Sequence, residues 1–180
     1  MVYCFLANGF EELEAIAPID ILRRAGIEVV TVGVTGKTVE GSHGIPMVTD
    51  ITVDEISEDE ALEAIILPGG LPGAVNLENS QTVQSFIDFA YRKGAYICAI
   101  CAAPQILGHR GFLKGVEAIA YPGFEKELDG AVISESYVVT DGQFITAKGA
   151  GVATEFALAV VSALKGRDVS DSIKSAIQMI

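Results

Sequence analysis

Short uninterrupted apolar runs alternate with stretches of helical periodicity along the whole chain. Met1–Leu6, Ile27–Val34, Ala64–Leu67 and the run ending at Ile100 have no polar alternation, the signature of strands buried on both faces of a parallel sheet. Between them, Phe10–Ala25 reads as a helix with Leu13, Ile16, Ala17 and Ile21 on its inner face, closed by Gly26. Ser80–Arg92 reads as a second, capped by Ser80, with Val83, Phe86, Ile87 and Ala90 inward. A long apolar helix follows Gly149-Ala150-Gly151 and runs to Leu164, and Asp168–Ile177 forms a terminal helix. Asp54–Leu62 is expected to be an acidic helical turn or short helix. Val116–Ala120, Val132–Ile133, Tyr137–Thr140 and Phe144–Ala147 are β pieces, with Asp141-Gly142 a two-residue hairpin turn. Thr38–Thr49, punctuated by Gly41, Gly44 and Pro46, predicts a small β-hairpin off the main sheet. This alternation specifies an α/β fold with a doubly wound, mainly parallel sheet. No repeat, low-complexity tract or linker interrupts it, so residues 1–180 are expected to be one domain.

Composition removes several classes of function. The net charge of −12 repels phosphate backbones and argues against nucleic acid as a partner. No long uncharged apolar segment, apolar leader or lipidation signal is present, which predicts a cytoplasmic protein without membrane attachment. Three cysteines cannot all pair, and reduced thiols are expected. Cys98 and Cys101 spell C-x-x-C, but Cys98 falls within a strand, and positions three apart on an extended chain face opposite ways. Only two histidines exist, neither at a ligand spacing, so no metal site is expected.

The chemistry centres on Ala95–Pro104. An apolar strand arrives, Cys101 stands in a sharp turn, and Pro104 opens a helix. That is the layout of a nucleophile elbow, which lifts one side chain above the C-terminal edge of the sheet toward a helix N-terminus. A thiol there should ionise more easily; as one more small apolar residue, Cys101 would be inert. Glu11, Glu12 and Glu14 open the helix after the first strand, at the same sheet edge, and all three favour its dipole. Pro18 removes a hydrogen bond from the Glu14 carbonyl and marks a kink there. Glu14 can therefore reach the thiol, and partial burial would raise its pKa and leave an acid able to donate a hydrogen bond. The glycines of Pro68–Gly73 allow close backbone approach and could present N–H groups to an anion, although the Gly-Lys-Ser/Thr ending of a phosphate loop is missing. His43 falls at the hairpin tip, and His109 at the far end of the elbow helix reads as structural.

Gly9-Phe10-Glu11-Glu12-Leu13-Glu14, Asp20–Gly26, Leu67-Pro68-Gly69-Gly70, Ala99–Pro104 and Gly149-Ala150-Gly151 with Glu155-Phe156-Ala157-Leu158 stand in this order. Together they resemble the ThiJ/PfpI superfamily, and within it the branch of the Parkinson's-disease-linked protein deglycase. The resemblance covers essentially the whole chain. It implies a flavodoxin-like sandwich, a homodimer and no cofactor. It makes Cys101 a low-pKa cysteine, Glu14 its hydrogen-bonded acid, and the backbone N–H groups of Gly70 and Ala102 an oxyanion-binding pair. Arg24 and His43 match positions near the substrate pocket. The implied activities are conversion of glyoxal or methylglyoxal to hydroxy acids and removal of their early adducts from proteins. Oxidative-stress sensing through sulfinate formation and chaperone activity are the alternatives it carries. Ala102 stands where the peptidase members have His, which argues against a Cys-His protease. Tyr121 precedes Pro122 where glyoxalase-like members have His, and a neutral phenol donates a hydrogen bond but is a poor base.

Overall fold

The computed structural model describes residues 1–179. Strands β1 (Val2–Leu6), β2 (Val29–Gly33), β5 (Ile51–Thr52), β6 (Ala64–Leu67), β7 (Tyr96–Ile100), β10 (Val138–Asp141) and β11 (Phe144–Ala147) form one sheet. Its order is β10-β11-β7-β6-β1-β2-β5, and every pairing is parallel except β10 with β11. The expected hairpin stands apart as β3 (Thr38–Glu40) and β4 (Pro46–Val48), and β8 (Glu117–Ala118) pairs with β9 (Val132–Ile133) in a third small sheet. The helices are α1 (Glu12–Arg24), α2 (Gly73–Asn79), α3 (Gln81–Lys93), α4 (Pro104–His109), α5 (Ala153–Lys165) and α6 (Arg167–Ala176). The flavodoxin-like reading of the sequence describes this architecture.

Each central strand feeds two cores. In β1, Tyr3 and Phe5 face a cluster with Phe86, Ile87 and Leu107, while Val2, Cys4 and Leu6 face one with Leu22, Phe156 and Val160. Two-sided burial is why these strands show no polar alternation. Each fully buried Phe or Leu contributes about 1.5–3 kcal/mol of transfer free energy. Cys98 lies in the second cluster, fully buried and away from the elbow turn, and burial drives its thiol pKa up. All three cysteines are free.

Several boundaries differ from expectation. Leu13 and Ile16 are exposed, at 60% and 45%; Glu14, Ala15, Pro18, Ile19, Ile21 and Leu22 form the inner face. The stripe 14-15-18-19-22 is a regular helical face, but a carboxyl within it breaks the apolar pattern and shifts the reading by one residue. The segment 54–62 makes turns and no helix: its five acids are exposed, and its two apolar anchors, Ile56 and Leu62, stand six residues apart, off the spacing of a helical face. Conversely, Gly73–Asn79 is helical, directly before the Ser80 cap of α3, and its glycine start conceals it.

The parallel arrangement sets the site. Winding reverses between β1, which leads to β2 on one side, and β6, which leads to β7 on the other. The C-terminal ends of β1, β6, β7 and β11 therefore deliver 9–14, 69–70, 101–102 and 149–150 to one crevice, the position where open α/β sheets bind ligands.

Candidate active site

Cys101 follows β7 in the left-handed region, with φ +65. A non-glycine residue there is strained and persists only when its surroundings hold it. The Cys101 N–H donates to the Ala147 carbonyl at 2.9 Å, its carbonyl accepts from Tyr121 N–H at 2.8 Å, and Ala103 N–H closes the turn onto the Ile100 carbonyl at 3.1 Å. The side chain is only partly covered. These are the features of an elbow.

The three acids of α1 divide into three roles. Glu11 is the N-cap, its Oε2 accepting from Glu14 N–H at 2.9 Å. Glu12 turns toward the hairpin and clasps its tip: its Oε1 accepts from His43 N–H at 2.8 Å, and its Oε2 lies 2.9 Å from His43 Nδ1 and accepts from Ser42 Oγ at 3.3 Å. Burial raises the Glu12 carboxyl, but the His43 hydrogen bonds outweigh it and hold the pKa at about 2. The same contact raises the exposed His43 imidazole. Glu12→Ala should release the hairpin and lower stability at pH 7 by about 1–2 kcal/mol. The folded carboxyl being the more acidic, this contribution is full above pH 4.5 and fades as pH falls toward 2, so wild type and variant should converge there. Thermal melts of the two proteins across that range measure it.

Glu14 points the other way and is completely buried. Its Oε2 accepts from Gly69 N–H at 2.9 Å. Its Oε1 has no partner of ordinary hydrogen-bond geometry, although the Cys101 thiol and the Ala150 N–H both act on the carboxyl. Burial pushes Glu14 up to about 7, against the opposing effect of those donors. Burial likewise pushes the Cys101 thiol up to about 12, assisted by the charge of Glu14 and opposed by the N–H groups of Gly70 and Ala102. The expectation of an easily ionised thiol is thus corrected: burial first, and the Glu14 charge after it, hold the proton on the sulfur. α4 is under two turns long, and its end cannot offset burial beside a carboxylate. Once Glu14 takes a proton its charge is gone, which lifts the second of these effects; burial, the largest, remains, and the two N–H groups oppose it. Thiol and carboxyl titrate as a coupled pair, the carboxyl losing its proton first.

Glycine is required twice where these loops meet. Gly70 has φ +85, and a Cβ there would stand 2.4 Å from Glu11 N, so only glycine turns this N–H toward the sulfur. A Cβ on Gly69 would lie 2.6 Å from Glu14 Oε2 and 2.7 Å from Cys101 Cβ. Gly69→Ala must therefore wedge the pair apart, with an expected loss of about 1–3 kcal/mol and a changed rate of Cys101 alkylation by iodoacetamide. An unchanged alkylation rate would show that the pair is not coupled through this contact.

Tyr121 stands at the crevice, half exposed, its ring 3.2 Å from the Cβ position of Gly149. Arg24 is not brought to the thiol within one chain. Its Nε pairs with Asp20 Oδ2 at 2.6 Å, ten residues beyond Glu14, about 15 Å along the helix axis. His43 is held by Glu12 on the hairpin side. The Glu12–His43 clasp and the Ala150 contact escaped the sequence reading, because each joins segments far apart in the chain.

A strained cysteine on a strand–helix elbow, faced by a buried carboxyl and two backbone N–H groups, defines an elbow-cysteine protein of the doubly wound class. The chain belongs to the DJ-1/PfpI family, which matches residues 1–163. Among its relatives, Protein DJ-1 homolog A of Arabidopsis thaliana is 37% identical over 174 residues, 94% of this chain. The chain spans 44% of the length of that relative. The glutathione-independent glyoxalase DJR-1.2 of Caenorhabditis elegans is 30% identical over 165 residues, 91% of this chain and 87% of its own. The solved structure of oxidized Toxoplasma gondii DJ-1 superposes with a TM-score of 0.94 at 32% identity, covering 98% of this chain and 97% of that one.

Proposed function

We propose that the protein converts α-oxoaldehydes such as methylglyoxal to hydroxy acids through Cys101, without an added cofactor, and acts by the same chemistry on early glyoxal adducts of proteins. The observation that carries this reading is the Cys101–Glu14 pair, with a carboxyl at about 7 and two N–H groups directed at the sulfur. The thiol proton passes to Glu14, and the thiolate adds to the aldehyde carbon. The former carbonyl oxygen, now negative, takes the N–H groups of Gly70 and Ala102 and then a proton. Glu14 removes the C–H proton of that carbon and returns it to the neighbouring carbon, while the new hydroxyl gives up its proton and the neighbouring oxygen gains one, so the first carbon is oxidised as the second is reduced. The resulting thioester is hydrolysed by water, which returns the free thiol and releases the acid. No external oxidant or reductant is consumed. Tyr121, with its phenol at the crevice, donates a hydrogen bond to the substrate. The relative named as a glutathione-independent glyoxalase supports this reaction class.

Exposed Leu13 and Ile16 on α1, with Ile45 and Val48 on the hairpin, support a homodimer through this face. No helix among the described residues is long and apolar enough to cross a membrane. A second reading rests on unpartnered Glu14 Oε1: protonated, it would donate to a Cys101 sulfinate held by Gly70 and Ala102, the design of an oxidation sensor. The deciding assay is hydroxy-acid formation from methylglyoxal, without added thiols, by wild type and Cys101→Ser. Turnover confined to the wild type supports the enzyme; none in either leaves the sensor reading.

A further inference from the structure

Near the reacting pair lies an open pocket of about 450 Å³. The side chains of Tyr121 and Tyr137 line it together with Lys148 and the Gly149–Val152 segment, and nearly all of its surface is carbon. Cys101 is not part of its wall, but the pocket adjoins Glu14. The Cβ position of Gly149 is 4.0 Å from Glu14 Oε1, and Tyr121 N–H donates to the Cys101 carbonyl.

Lys148 gives the pocket a sign. Its Nζ lies over the Tyr137 ring, 5.1 Å from the centroid, and among the described residues it makes no ion pair with a carboxylate. In a chain of net charge −12, an ammonium free of carboxylates at the wall of an apolar pocket is a local attractor for anions. A three-carbon aldehyde leaves most of this volume unfilled, since pockets of this size suit much larger ligands. Two phenol rings suit a flat apolar body.

We propose that the pocket receives the tail of the substrate, and that the preferred α-oxoaldehyde carries an aryl group ending in a carboxylate bound by Lys148. This rests on the α-oxoaldehyde reading above, and binding can be separated from chemistry. 4-Acetylbenzoate has the ring and the carboxylate but a ketone in place of the aldehyde; acetophenone lacks the carboxylate. Calorimetric titration of the wild type should show 4-acetylbenzoate binding about tenfold more tightly, the size of one charge-assisted hydrogen bond. Lys148→Met, which keeps the apolar stem, should remove most of that difference. In parallel, kcat/KM for 4-carboxyphenylglyoxal should exceed that for phenylglyoxal, and the ratio should collapse in Lys148→Met. Equal binding of the two probes, or a preference that survives Lys148→Met, overturns the proposal. Preferential binding without turnover of either arylglyoxal supports the anion pocket and overturns the enzymatic reading.

Discussion

Cys101→Ser should fold as the wild type does and form no hydroxy acid from methylglyoxal above background, a loss of about 10³-fold or more. The elbow is held by backbone hydrogen bonds to Ala147 and from Tyr121, which the substitution leaves in place. The hydroxyl occupies nearly the same space and keeps the N–H groups of Gly70 and Ala102 in reach. Nucleophilicity is what changes. Burial holds the thiol near 12, so its proton leaves for Glu14, at about 7, as the sulfur adds to substrate, and the two N–H groups offset part of the cost. A hydroxyl ionises far less readily, and its ester is a less activated acyl group than a thioester. A matched melting curve with lost turnover, measured by lactate formation and circular dichroism, is the expected pair of results. Retained turnover would mean that sulfur is not the nucleophile.

Glu14→Gln should move activity and stability in opposite directions. The carboxyl is neutral in both folded and unfolded chains below pH 4.5. Between pH 4.5 and about 7 the unfolded chain ionises first, so the folded state loses stability as pH rises through that window. The difference between 4.5 and about 7 corresponds to about 3 kcal/mol at pH 8. Glutamine keeps an oxygen for Gly69 N–H and carries no charge, so the variant should be more stable than the wild type at pH 8 by about 2 kcal/mol and no more stable at pH 4. Turnover should fall by about 10²–10⁴-fold, because the amide cannot shuttle a proton. Removing the charge also lifts one of the effects that hold the thiol near 12, so iodoacetamide should alkylate Cys101 faster in the variant at pH 8. A less active protein with a more reactive cysteine separates proton shuttling from mere positioning. If turnover survives, Glu14 is not the shuttle.

Stored instability at this residue explains why α1 was hard to read. Its inner face contains a carboxyl because the crevice needs one, and a helix with an acid in its buried stripe appears rotated when apolar positions alone are counted. Apolar spacing alone turns Leu13 and Ile16 inward, and the structure leaves both exposed. The helix Gly73–Asn79 was hidden for a related reason: its first residue is a glycine whose Cβ position lies 2.6 Å from Phe10 N, and loop packing rather than helix propensity chose it.

What the sequence determined by itself is what local periodicity and local turn chemistry encode. Two-sided burial leaves unbroken apolar runs, so β1, β6, β7 and the doubly wound class were legible. Gly26, Ser80, Asp141-Gly142 and Pro104 marked their caps and turns because each acts within a few residues of itself. The elbow at Cys101 and the reach of Glu14 to it followed from knowing that strand ends meet at one edge. Tertiary structure alone decided how the charges interact there. Whether Cys101 is helped or hindered depends on a carboxyl 87 positions earlier and on how far both are removed from water. The clasp of Glu12 on His43, the separation of Arg24 from the thiol and the placing of Lys148 beside Tyr137 are likewise contacts or distances between segments. Electrostatic energy depends on distance and burial in three dimensions, and neither is a periodic property of the chain.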